Sequence, residues 1–293
     1  MSKKLIRSLT AESKKAGGAH LTLEARHQAY ADFGAAMFRA NVQIHSADQI
    51  GGRELRVYAV HLNAQVKSVG TRQNRMAAIR VALTQVGKSS LAKDPNYSNA
   101  ALGLGKRCRD GTKTAASPEV VSTIKSKVEK LDRGWIATVM ELEETVGLRR
   151  SEAVCVPAFR LRQWLKQLPK EGRVYVVDGT KGGRERFVEP PHPARALEAI
   201  KSALAAAEAN GGYLAQYDDG SPAKSKKSAL GMYSSCLNRL GFQGHALRYS
   251  FTRAVRKRGL EEGLTENQAL AAASRNLGHG EGRGRYVKQV YLK

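Results

Sequence analysis

Near the end of this 293-residue chain stand His245 and Arg248, then His279, then Tyr286 and Tyr291. On a helix, residues three apart share a face, so His245 and Arg248 are expected to present an imidazole and a guanidinium to one ligand. A guanidinium fork suits two oxygens of one phosphate. His279 follows Leu277 and Gly278, and a phenol close by becomes a nucleophile once it loses its proton. The set reads as an anion site beside a nucleophile. Upstream, Arg149 follows Val146-Gly147-Leu148, and Lys181 sits in the Gly-rich run Gly179-Thr180-Lys181-Gly182-Gly183. Each feature alone has an ordinary explanation: a helix-face ion pair, a capping histidine, a solvated turn lysine. Their order is what carries information.

The charge balance says which anion. Lys and Arg number 49 against 26 Asp and Glu, a net charge of +23. Nucleic acid is the default partner for such a chain. The excess is spread, with 18 basic and 7 acidic residues in 1–110 and 31 and 19 in the remainder. Both halves are therefore expected to touch the anion, as a clamp. Cys108, Cys155 and Cys236 are too few and too scattered for a disulfide framework or a Cys-rich zinc site. His20, His27, His45, His61 and His192 are scattered and read as incidental, so no metal is expected. There is no phosphate-binding GxxxxGK[ST] loop, so a nucleotide triphosphate site is not expected, and no cofactor is called for. No signal-length apolar run follows the basic N-terminus, and no stretch approaches ~20 apolar residues. The expected location is the cytoplasm, at the nucleoid.

The elements that must position these residues are mostly helical. Residues 1–20 are polar and Lys-rich and read as a loose basic arm. Thr22 reads as an N-cap, with Leu23, Tyr30, Phe33 and Met37 following at helical spacing. Leu55, Tyr58, Leu62 and Val66 mark a second helix. Gly70-Thr71 opens a third through Met76, Ile79, Leu83 and Val86. Its other face carries Arg72, Arg75 and Arg80, either groove-facing or simply solvated. A short fourth helix is expected over 91–104. Residues 21–110 thus form an all-helical domain, and 111–117 a linker.

Ser117-Pro118-Glu119 restarts the chain with an N-cap, a proline at N1 and an acid in the first turn. Helices are expected over 118–131 and 133–146. Val174–Val177 and Arg186–Val188 read as two short strands of a hairpin joined through Asp178-Gly179-Thr180-Lys181-Gly182-Gly183. Further helices are expected over 193–209, 228–240, 244–258 and 265–277, with a loop over 210–227. The last helix opens with the capping-box pattern Thr265-Glu266-Asn267-Gln268. The fold class is α+β, mostly helical: an all-α domain followed by a domain of 118–293 with a small β-sheet.

VGLRRSEA (146–153), GTKGGRERFV (179–188), GHALRYSFT (244–252) and LGHGEGRGRYVKQVYL (277–292) resemble the motifs of the tyrosine recombinase, or phage integrase, family. The resemblance covers nearly the whole chain. It implies a core-binding domain over 21–110, in which the helix opened by Gly70-Thr71-Arg72-Gln73-Asn74-Arg75 lies against DNA. It also implies a catalytic integrase domain over 118–293. By this resemblance Arg149 and Arg248 hold the non-bridging oxygens of the scissile phosphate, and His279 is a third donor. His245 helps to position the phosphate and assists proton transfer, Lys181 protonates the departing 5′ oxygen, and Glu152 orients its neighbours. Fixed cations suit that chemistry, because phosphoryl transfer is mostly positioning and charge stabilisation.

Tyr286 lies seven and Tyr291 twelve residues after His279, and the family's tyrosine falls between these spacings. The run Tyr286–Leu292 resembles the family's short nucleophile helix, with the attacking phenol in the final Tyr-Leu pair. Tyr291 is therefore the expected nucleophile, and 280–285 an enlarged loop before it. The implied activity is site-specific strand exchange on double-stranded DNA through a 3′-phosphotyrosyl intermediate. The implied assembly is a homotetramer on paired sites, and the setting integration or excision of a mobile element. The two residues after Tyr291 leave little tail for docking into a neighbouring subunit. A type IB topoisomerase-like relaxing enzyme, a non-catalytic DNA-binding protein on the same fold and a basic RNA-binding protein are the competing readings.

Overall fold

A computed structural model describes residues 3–108 and 114–292 of the chain, except for the side chains of Lys181 and Glu281. Residues 111–113 of the expected linker and the side chain of Lys181 therefore lie outside the described residues. The chain divides into two compact units, Met1–Cys108 and Arg109–Lys293.

The first unit is all-helical: α1 (Lys3–Lys15), α2 (His20–Arg39), α3 (Gly52–Gln65), α4 (Val69–Gln85) and the short α5 (Ser89–Lys93). The segment expected as a loose arm is instead largely α1. Leu5 and Leu9, one helical turn apart, are both fully buried, and α1 packs on α2 and α4. The flanking lysines masked this short apolar stripe. Tyr30 and Phe33 from α2, Leu55 and Tyr58 from α3, and Met76 and Ile79 from α4 complete the core. α2 starts two residues before Thr22, at an Ala19 cap that makes no side-chain hydrogen bond. The fourth helix stops at Lys93 rather than running to 104. Pro95 follows, and the Asp94 carboxylate accepts the Asn96 N–H to start a 3-10 turn instead.

The second unit opens as the sequence implies: Ser117 caps α6 (Pro118–Glu129) by accepting the Val120 N–H at 3.4 Å. α7 (Gly134–Thr145) is apolar on most sides and packs against several neighbours. Then come α8 (Arg150–Val154) and α9 (Ala158–Glu171). α9 was not anticipated, although Ala158, Leu161, Trp164 and Leu168 are buried at helical spacing. Pro169 in its last turn obscured the pattern. The strands β1 (Val174–Val176) and β2 (Arg186–Val188) pair antiparallel, with Tyr175 opposite Phe187 and Val176 opposite Arg186. Trp164 Nε1 donates to the Tyr175 carbonyl at 2.8 Å, so α9 braces this hairpin. α10 (Pro193–Ala209), α11 (Lys226–Arg239), α12 (His245–Glu261), α13 (Glu266–Asn276) and α14 (Gly284–Tyr291) complete the unit. The Thr265–Gln268 capping box at the start of α13 is formed in both directions.

Candidate active site

The C-terminal end of α13 organises the site. A helix ends with carbonyls that lack partners inside the helix, and they carry the negative end of its dipole. Here arginines supply the partners. Arg149 Nη2 donates to the Leu277 carbonyl at 2.9 Å, and Arg248 Nη2 donates to the same oxygen at 2.6 Å. Arg186 Nε donates to the Asn276 carbonyl at 2.9 Å. Three guanidinium groups, distant in sequence, thus converge on one helix terminus.

Each arrives for a local reason. Just beyond the end of α7, Gly147, with φ +65°, turns the chain into α8. Its carbonyl then faces α12 and accepts from Arg248 Nη1 at 2.5 Å. Arg149 is the N-cap of α8, and Glu152 at the third position reaches back to the Arg149 N–H at 2.6 Å. Gly278 follows α13 with φ +68°, and a Cβ there would lie 2.9 Å from Arg186 Cδ. The glycine before His279 thus gives both the turn and the space for the third arginine.

Glu152 is almost fully buried and saturated. One carboxylate oxygen accepts from Arg149 Nη1 at 2.7 Å and Arg186 Nη1 at 2.8 Å. The other accepts from the Arg149 N–H and from Arg186 Nη2 at 2.7 Å. Burial alone would raise the carboxyl, but the hydrogen bonds and charge of Arg186, with those of Arg149, hold it down at about 2. Burial is also the main reason that the Arg248 guanidinium is drawn down to about 10, with Arg186 and Arg149 adding like-charge repulsion. His279 is pushed down to about 4, first by burial and then by Arg248, Arg149, Arg283 and Arg186. Its imidazole is neutral at neutral pH, with one donor and one acceptor nitrogen.

Tyr291 closes the site from α14. Its hydroxyl lies 3.2 Å from His279 Nε2, and the residue is only 5% exposed. Its ring is 4.8 Å from that of Tyr249, 6.2 Å from His245 and 6.4 Å from Tyr286. Burial, followed by Tyr291 and Tyr286, raises the Tyr249 phenol to about 12. Tyr286 is half-buried, with its ring 5.5 Å edge-on to His279. Beneath Arg248, the fully buried Glu143 accepts the Tyr233 hydroxyl at 2.7 Å. Burial lifts the Glu143 carboxyl to about 8, against the pull of Tyr233, Arg150 and Arg248.

Arg149, Arg248, His279 and Tyr291 are therefore brought together, and the His245 ring adjoins Tyr291. His245 and Arg248 do not present equivalent groups as their spacing implied: His245 is exposed at the start of α12, whereas Arg248 is buried one turn on. For Lys181 the structure gives only the backbone, at the start of the 3-10 turn Lys181–Gly183 between the two strands.

The arginines of α4 are not a free row facing outward. Arg72 donates to the Val66 and Lys67 carbonyls and to Asn63. Arg75 pairs with Asp32 at 3.0 Å. Arg80, half-buried, donates to the Tyr97 carbonyl and Asn99. Helical spacing reports a shared face but not that neighbouring loops and helices cover it. Sequence reasoning also passed over Arg186, although it stands in the hairpin motif. The available signal was a charged residue on the inward-facing side of a strand between Glu185 and Phe187. Among the described residues no group of His, Cys, Asp and Glu could hold a metal ion, and no helix is long and apolar enough to cross a membrane.

The family model described as "Integrase" matches residues 103–257, and that described as "Phage integrase, N-terminal" matches residues 1–92. Among solved structures, a Tn1549 transposon integrase in complex with transposon right end DNA aligns with a TM-score of 0.62 at 14% identity, over 98% of this chain and 94% of that one. A lambda integrase tetramer bound to a Holliday junction aligns at 0.59 and 15%, over 94% and 76%. The XerH site-specific recombinase bound to its difH substrate aligns at 0.56 and 16%, over 98% and 79%. No curated protein matches in a sequence search. The fold is that of the tyrosine recombinases, and the chain belongs to their integrase family. The "Integrase" match ends before His279 and Tyr291, so for that end of the site the geometry stands by itself.

Proposed function

We propose that this protein is a site-specific DNA recombinase that cleaves and rejoins strands through a 3′-phosphotyrosyl intermediate, with Tyr291 as the nucleophile. The observation that carries the reading is the 3.2 Å approach of the Tyr291 hydroxyl to His279 Nε2, on the turn whose carbonyl is held by Arg149 and Arg248. In the reaction the phenolic oxygen forms a bond to phosphorus and the bond from phosphorus to the 5′ oxygen breaks. The phenol gives up its proton, and the departing oxygen takes one. Arg149, Arg248 and His279 face the non-bridging oxygens, where charge builds. His245, beside the Tyr291 ring, assists the phenol. Lys181 is assigned by its motif to protonate the leaving oxygen. The phosphotyrosyl bond retains the energy of the original ester, so resealing needs no nucleotide cofactor.

The likeness to integrases solved with transposon-end DNA and with a Holliday junction supports integration or excision of a mobile element as the setting. It also supports a tetramer on paired double-stranded sites. The internal engagement of Arg72, Arg75 and Arg80 leaves them a supporting role in DNA contact, through the loops and the α2 helix they hold.

The test is covalent capture on a nicked half-site from DNA flanking the gene. Wild-type protein should form an adduct that survives denaturation, Tyr291→Phe should form none, and Tyr286→Phe should retain it. Adduct in Tyr291→Phe together with its loss in Tyr286→Phe would move the nucleophile to Tyr286. No adduct from the wild type would leave a non-catalytic DNA-binding protein.

A further inference from the structure

Arg186 is absorbed by none of the roles above, yet it is 5% exposed at its side chain and makes three hydrogen bonds inside the site. We infer that Arg186 is a positioning residue for strand cleavage: its fork grips both oxygens of Glu152, so that Glu152 can fix Arg149 while Arg186 ties the hairpin to the His279 turn. The inference rests on the proposed recombinase reading.

The geometry is specific. Both Nη atoms of Arg186 bond the two oxygens of Glu152, and the same two oxygens hold the Arg149 backbone N–H and guanidinium. Removing Arg186 leaves a buried carboxylate with a single cationic partner. A buried charge that loses a partner is neutralised by taking up a proton rather than kept. A protonated Glu152 has one acceptor fewer for Arg149, so the grip on the phosphate ligand loosens. A second tie joins the same parts, because the Asn276 side chain accepts the Glu189 N–H at 2.6 Å just beyond β2. The charged groups that act on Glu152 are Arg149 from the start of its own helix, Arg186 from β2, Arg248 from α12 and Glu143 from α7. Of these, Arg186 supplies the largest pull toward the ionised form. Arginine is required because only a planar fork serves both oxygens at once.

Loss of Arg186 therefore has a signature that general damage to the fold lacks. Activity should rise with pH as Glu152 ionises, while stability falls, because the unpartnered buried charge costs more when ionised. The experiment compares the full-length wild type, Arg186→Gln, Arg186→Lys and Arg186→Gln/Glu152→Gln from about pH 6 to about pH 9. It reads single-turnover adduct formation, DNA affinity and the thermal midpoint. In Arg186→Gln the cleavage rate should acquire an acidic limb, rising toward tenfold per pH unit below the new Glu152 pKa, with affinity within about threefold of wild type. Its deficit in thermal midpoint should widen as pH rises. The double variant should lose both trends, and Arg186→Lys should recover part of the rate.

A uniform loss of rate at all pH values, with a midpoint deficit that does not change with pH, would overturn the proposal. Should Arg186→Gln fail to fold, the same limb is read in Arg186→Lys, where a profile superimposable on wild type overturns it. Absence of adduct from the wild type refutes the recombinase reading instead, and the midpoint trend still decides whether Arg186 controls Glu152.

Discussion

Replacing Gly147 by alanine tests the join between backbone geometry and the site. Gly147 has φ +65°, and an added Cβ would fall 2.3 Å from Phe251 Cε1. Phe251 is 1% exposed, so its ring has no solvent into which to swing. Two costs therefore add. The left-handed conformation costs an alanine about 1–2 kcal/mol. Overpacking a filled core costs a further ~1–3 kcal/mol. The sum, roughly 2–5 kcal/mol, corresponds in a unit of this size to a fall in midpoint of roughly 4–20 °C. Gly241→Ala is the control, because Gly241 has φ +70° but nothing within 4 Å of the added Cβ. It should carry the conformational cost alone, about 1–2 kcal/mol or roughly 2–8 °C. Calorimetry on the full-length protein measures both. Gly147→Ala should also slow half-site cleavage, since the displaced carbonyl is the acceptor for Arg248 Nη1. Equal midpoints for the two variants would show that Phe251 yields without cost and would refute the packing argument.

Further outcomes follow from the charges. NMR titration of the free protein should find His279 neutral down to about pH 4. Because its folded pKa lies below the unfolded value of 6.5, the unfolded chain binds the extra proton, and stability should fall as pH drops from about 6.5 toward 4. His279→Gln should flatten that slope. Glu143 has the opposite sign: with a folded pKa of about 8 it favours folding at low pH, and that contribution should disappear as pH rises through 8. Glu143→Gln should make stability less dependent on pH between about 5 and 8, whereas a Glu143 that titrates normally would leave the slope unchanged. Arg80→Met should destabilise the first unit by about 1.5–3 kcal/mol through its lost bonds to Tyr97 and Asn99, as read by chemical denaturation. An effect confined to DNA affinity would instead restore Arg80 to a direct contact.

What the sequence made legible follows from how local each signal is. Caps and apolar periods lie within a few residues, so Ser117-Pro118, the Thr265 box and the stripes of α2 to α4 could be read directly. α1 and α9 escaped because flanking lysines and an internal proline diluted short apolar stripes. The order of Arg149, Lys181, His245, Arg248, His279 and Tyr291 suggested a site, and the structure brings Arg149, Arg248, His279 and Tyr291 together, yet spacing could not show which partner each group holds. Arg248 bonds carbonyls 101 and 29 residues away. Arg186 meets Glu152 across 34 residues and Asn276 across 90. Nothing in a linear pattern joins those positions, so Arg186 became visible only in three dimensions. The same limit applies to α4, where Arg75 is claimed by Asp32, 43 positions earlier in the chain.

The end of α13 has one more consequence. Its Asn276 and Leu277 carbonyls offer concentrated negative potential to Arg149, Arg186 and Arg248. In the free protein this helix terminus stands in for an anion. It lets three like charges crowd together before any DNA arrives, and it holds each side chain by a hydrogen bond while doing so. Under the proposed function, a phosphate that reaches Arg149 and Arg248 meets guanidinium groups already gathered and does not have to recruit them from solvent. The freezing of long side chains, which usually opposes binding, is assigned to folding rather than to the encounter with DNA.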